Sequence, residues 1–220
     1  MPATCYNRPP MPPDASSPAL LDFPPTHAGA RIGLLGGTFD PPHLGHLQLS
    51  QVALTKLKLD RVWWLISPGN PLKPDSPTLT MAQRLERAHE LIARQRISAS
   101  AAEEKLTSAY TYDTIRTVRD RYPKVHFVWL MGLDNLAQFH LWHRWQDIAA
   151  AVPIAVFNRP GIEFSEEWPA VRAMAAARRD ARAAKSLAAM PPPAWVFLPL
   201  PRVDLSSTAI RARRGLAATS

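Results

Sequence analysis

A single cysteine, Cys5, stands in a chain of 220 residues. No internal disulfide can form, which fits a reducing compartment, and thiol catalysis is not expected from a cysteine in a Pro-rich stretch. No apolar run approaches the roughly 20 residues that a bilayer-spanning helix needs. Residues 1–30 carry neither a basic n-region nor an apolar h-region, so no secretory leader is expected and a cytoplasmic location is. Acidic residues are in the minority: 18 Asp and Glu against 26 Lys and Arg leave a formal charge of +8. That excess points to an anionic partner without naming it. Much of it lies in "VRAMAAARRDARAAK" and "RARR", which read as a solvated helical face and a basic tail, or as a nucleic-acid surface. No zinc spacing, RNP-like aromatic motif or heptad accompanies the charge. Phosphorylated small molecules explain the charge equally well, and neither nucleic acid nor a membrane is expected as a partner.

Proline crowds residues 1–30, which read as a flexible, disordered extension, leaving 31–220 as a single domain. There, short β-branched or aromatic runs recur: "RIGLL" (31–35), "RVWWLIS" (61–67), the weaker "RISAS" (96–100), "VHFVWLM" (125–131), "VPIAVF" (152–157) and "AWVFLPL" (194–200). Helical stretches alternate with them. "HLGHLQLSQVALTKL" is expected to bury Leu44, Leu47, Val52 and Leu57 together, and Thr80 and Gln83 open the next helix as a capping box. "TYDTIRTVRDRY" and "SEEWPAVRAMAAARRDARAAK" predict two more helices. Alternating strands and helices imply an α/β fold, a Rossmann-like open, mostly parallel sheet with helices on both faces. Such sheets bind ligands at the carboxyl ends of their strands.

"GLLGGTFDPPHLGH" (33–46) occupies that place after the first strand. Gly36 and Gly37 permit a tight turn and close approach of a bulky group. Asp40-Pro41-Pro42 stiffens the turn, and a helix is expected to start near His43. His43 and His46, three apart, share a helix face across Gly45 and can donate to phosphate, as can helix-start amides. A dinucleotide fingerprint is the alternative, but the G-x-G-x-x-G order is missing. A metal site is another, but no third ligand stands near the two histidines.

"GGTFDPPHLGH" resembles the G-G-T-F-D-P-x-H-x-G-H signature of bacterial nicotinate-nucleotide adenylyltransferases, within the HxGH nucleotidyltransferase superfamily. The resemblance covers about residues 31–214. It implies the nucleotidyltransferase form of the open sheet, and a phosphate site built from Gly36, Gly37, Thr38, Phe39, His43, Gly45 and His46. "LSSTAIR" (205–211) is similar to a family segment that brings Ser206, Ser207, Thr208 and Arg211 to a triphosphate. "SPGNPLK" (67–73) matches a loop whose lysine, here Lys73, faces the polyphosphate, and Arg159 of "FNRPG" would orient the adenine side. By the same resemblance Gly132 and Asp134 border a ribose, Thr111 approaches a nicotinate ring and Trp142 stacks on it. His143 stands where the family often carries tyrosine. Catalysis is expected from His43, His46, Lys73 and Arg211, with no protein nucleophile. The implied partners are ATP and nicotinate mononucleotide, with Mg²⁺ bridging the phosphates. Nicotinamide mononucleotide or pantetheine phosphate is the alternative acceptor. A nucleic-acid-binding module and a regulatory nucleotide binder without turnover are the rival classes.

Overall fold

The computed structural model describes residues 22–69, 77–106, 108, 110–158 and 162–200. Every expected strand forms: β1 (Arg31–Gly37), β2 (Arg61–Ile66), β3 (Ile97–Ser100), β4 (His126–Gly132), β5 (Ile154–Phe157) and β7 (Trp195–Leu198). A two-residue β6 (Arg178–Arg179) joins them. The strands pair in the order β3-β2-β1-β4-β5-β7-β6, every pair parallel. The chain winds outward from β1 in one direction and from β4 in the other, so the topological switch lies between them, where a ligand crevice opens in such sheets. Parallel sheets bury both faces. Here adjacent Trp63 and Trp64 on β2 enter opposite layers, Trp63 with Phe127 and Trp129, Trp64 with Leu35 and Leu130.

Helices α1 (Leu44–Lys56), α2 (Met81–Ile92) and α3 (Thr111–Arg121) follow their strands as expected. Thr80 accepts from the Gln83 amide, and Gln83 returns a bond to the Thr80 N–H, completing the capping box. After β4 come α4 (Leu133–Gln138), a 3₁₀ turn (Phe139–Leu141) and α5 (Trp145–Ala151).

Three expectations are corrected. Leu44 is half exposed, and the face of α1 against the sheet is set by Leu49, Ser50, Ala53 and Leu54. The expected long helix over 165–185 is broken into α6 (Pro169–Ala173), a 3₁₀ turn (Ala175–Ala177), β6 and a second 3₁₀ stretch (Ala181–Ala189). Arg178 holds the break: it pairs with Glu166 and lies over the rings of Phe164 and Trp195 at 4.9 and 5.3 Å, while Asp180 caps the next turn by accepting from the Arg182 amide. Finally, packing reaches back before residue 31. Phe23 is buried and stacks on Trp63 with centroids 6.3 Å apart, and Ser100 donates to the Asp22 carbonyl.

Candidate active site

The turn from β1 to α1 is built around two imidazoles that cap the helix. His43 is the N-cap residue, and its Nδ1 accepts from the Gly45 amide at 3.1 Å. His46, at N3, accepts from the His43 amide through its own Nδ1 at 3.3 Å. This is a capping box in which histidines replace the usual Ser/Thr and Glu/Gln. With Nδ1 accepting, the proton of each neutral ring sits on Nε2. The rings lie 3.8 Å apart, centroid to centroid, and both are held: His43 is buried, and His46 contacts Phe39 at 4.6 Å and Trp64 at 5.9 Å. One expectation changes here. The helix-start amides are partly spent on the imidazoles, since the Gly45 and His43 N–H groups bond to ring nitrogens. Those two amides are therefore less available to a ligand than a bare helix start would leave them.

Phe39 takes a left-handed backbone conformation, φ 48°, that side chains beyond Asn and Asp rarely adopt. It is over-determined by packing, as the ring is fully buried and stacks on Trp64 at 4.9 Å. Asp40, also buried, accepts from the Thr78 amide and hydroxyl and from the Leu79 amide, tying the turn to the segment before α2. Arg84, on α2, donates through one guanidinium nitrogen to the carbonyls of Thr38 at 2.6 Å and Ser67 at 2.7 Å. It thus clamps together the chain leaving β1 and the chain leaving β2. Burial lowers the Arg84 pKa from its ordinary value, and the nearby Asp40 charge opposes that.

At the switch point a cavity of about 420 Å³ opens, lined by Gly36, Gly37 and Thr38 after β1, Ser67 and Gly69 after β2, and Trp129 and Asn135 from β4 and α4. Glu103, Tyr110, Thr111, Leu141, Trp142 and His143 complete the described lining. Gly36 admits the Trp129 ring: a Cβ there would lie 2.5 Å from Trp129 Cη2. The bulky group that this glycine accommodates is thus a core indole. Gly36→Ala is expected to cost about 1–3 kcal/mol and displace the cavity floor. Denaturant midpoints and the ligand dissociation constant check both.

Trp142 is half buried, edge-on to Trp129 at 6.3 Å and to Phe139 at 5.4 Å. His143 is exposed and its ring tilts over Tyr110 at 4.5 Å. Gly132 and Asp134 lie at the start of α4; the side chain from that turn that lines the cavity is Asn135. Lys73, Arg159, Ser206, Ser207, Thr208 and Arg211 lie outside the described residues.

The chain matches the cytidylyltransferase-like family model over residues 34–213. A protein of Cereibacter sphaeroides is 54% identical over 82% of this chain and 96% of its own length. One of Roseobacter denitrificans is 46% identical over 88% and 97%. Both are named "probable nicotinate-nucleotide adenylyltransferase". The chain belongs to the nicotinate-nucleotide adenylyltransferase family. Its fold is also that of the nicotinic acid mononucleotide adenylyltransferase of Plasmodium falciparum, solved with NaAD, at TM-score 0.65, 16% identity and 83% coverage of each chain.

Three features around the cavity escaped the sequence. Arg84 and Asn135 carry no local signal, because a helical arginine or asparagine reads as a solvated side chain. Glu103 sits in a 3₁₀ turn (Ala102–Lys105) whose Glu-Glu-Lys run carries no local signal of burial. It is buried, and burial raises its pKa to about 7, against a hydrogen bond from Thr114 that lowers it. The folded state therefore holds this proton more tightly than the unfolded chain does. Its stabilising effect is complete below the ordinary value of 4.5, and is lost as pH rises to about 7. Glu103→Gln is expected to gain on the native protein through that window, by about 3 kcal/mol above it. Urea unfolding at pH 5 and pH 8 measures the difference; an equal effect at both would refute it.

Among the described residues, no helix is long and apolar enough to cross a membrane.

Proposed function

We propose that this protein transfers the adenylyl group of ATP to nicotinate mononucleotide, releasing pyrophosphate and forming deamido-NAD. The observation that carries this reading is the junction at the switch point: a histidine-capped helix start beside a cavity with indole walls. Relatives of nearly the same length share the chain at about half identity. A fold neighbour was solved with NaAD and again with APC.

The 5′-phosphate of the mononucleotide is an anion near neutral pH and attacks the α-phosphorus in line, so neither a protein nucleophile nor a base is needed. Positioning and charge neutralisation are what remain. His43 and His46 donate through Nε2 to the phosphates, with Lys73 and Arg211 supplying positive charge at the leaving pyrophosphate. Gly36, Gly37, Thr38, Phe39 and Gly45 shape the phosphate turn, and Gly132, Asp134, Arg159, Ser206, Ser207 and Thr208 hold the rest of ATP. Trp142 stacks on the pyridine ring, with Thr111 and His143 beside it.

Mg²⁺ bound with the triphosphate would neutralise part of the phosphate charge. The chain's own part would be to grip the phosphates, through His43, His46, Lys73 and Arg211.

Pyrophosphate release on mixing ATP with each acceptor tests the reading. Turnover is expected with a pyridine mononucleotide and not with pantetheine phosphate; release with pantetheine phosphate alone overturns it.

A further inference from the structure

Glu103 lines the cavity and has no task in the transfer described above. It shares the lining with Tyr110, Thr111, Trp142 and His143, yet is only 6% exposed. Among the described residues its hydrogen-bonded side-chain partner is the hydroxyl of Thr114, buried one turn into α3. A single hydroxyl leaves much of a carboxyl's hydrogen-bonding capacity unused, and the cavity is where a ligand reaches it.

The surrounding charges do not neutralise this group. Glu104 and Lys105 share its turn, and Lys105 pairs with Asp22 at 3.8 Å. On α3, Asp113 and Arg116 pair with each other at 3.6 Å. Arg84 on α2 senses Glu104 and Asp40. Tyr110 and His143 are the other titratable groups of the cavity wall. Among the described residues no cation pairs with Glu103.

We propose that Glu103 sets which pyridine substituent the cavity accepts. As a neutral acid it donates its O–H to the ring carboxylate of nicotinate mononucleotide; as a carboxylate it repels that group and accepts instead from the N–H of a carboxamide. This rests on the adenylyl transfer proposed above and assigns the acid-or-amide choice to one side chain. Burial places the change of state at about pH 7, where a shift in either direction alters the preference. The exchange is a proton only, taken from or returned to solvent through the cavity mouth.

The test compares kcat/KM for the nicotinate and nicotinamide mononucleotides between pH 6 and 8.5. Both acceptors carry the same 5′-phosphate, so its titration cancels in the ratio. In the native protein the acid-to-amide ratio is expected to fall at least about tenfold across this range, as a single ionisation between like charges requires. In Glu103→Gln, whose amide N–H₂ remains a donor at every pH, the ratio stays at the native low-pH value. A ratio that is flat in the native protein overturns the proposal, whether or not the variant folds. So does a native slope that persists in Glu103→Gln. Absence of pyrophosphate with either acceptor refutes the transfer reaction separately. In that event the ratio of the two dissociation constants, followed by tryptophan fluorescence over the same pH range, still decides the role of Glu103.

Discussion

His46→Ala lowers kcat by about 10²–10³-fold while the dissociation constant for ATP changes only a few-fold. That magnitude is the one found when a single preorganised donor to developing charge is removed. On the adenylyl transfer proposed above, the ground-state triphosphate would keep its other cationic partners, whereas charge building on the leaving pyrophosphate would lose a donor. Alanine also removes half of the capping box, because His46 Nδ1 accepts from the His43 amide. Some of the loss is therefore structural. His46→Gln separates the two causes: glutamine at N3 is a natural capping-box residue, so the helix start and the melting temperature are preserved while turnover still falls. Pre-steady-state and steady-state kinetics on both variants, with ATP binding measured directly, read the difference. Equal losses in kcat and ATP affinity for His46→Gln would place the histidine in ground-state binding.

Arg84→Met destabilises the fold by about 3–5 kcal/mol and abolishes most activity without touching the cavity. The arginine is nearly fully buried and holds the carbonyls of Thr38 and Ser67 with one guanidinium nitrogen. Methionine fills much the same volume, so packing is largely kept, but two carbonyls lose their donor and Asp40 loses its nearby cation. Unmet buried polar groups of this kind are among the few causes of such large losses. Arg84→Lys recovers part of the stability only, because an ammonium is a compact point charge and lacks the planar reach of the fork. Urea unfolding and activity at a temperature where both variants are folded test this. A variant with native stability would show the clamp to be dispensable.

How much was readable along the chain depends on how local each feature is. The strands were visible because a parallel sheet buried on both faces needs continuous apolar runs, and "RVWWLIS" or "VHFVWLM" has no other use. The capping box at Thr80 and Gln83 and the helix start at His43 were visible because caps are satisfied within four residues. The long basic stretch misled for the converse reason: its alanines and arginines suit a helix by propensity, and only the contact of Arg178 with Phe164, Trp195 and Glu166 turns it into a strand. Phe23 was lost among prolines because its partner, Trp63, is distant in sequence.

The sequence by itself determined the α/β class, the order of the elements and the histidine-bearing turn, since each is written in spacing and short-range bonding. Tertiary structure alone decided that Arg84 would join two strand ends, that a tryptophan from β4 would press on Gly36, and that Glu103 would be buried in the wall of the cavity. These depend on residues far apart in the chain meeting where the sheet reverses direction. Burial and proximity belong to that meeting, and no window of sequence contains them.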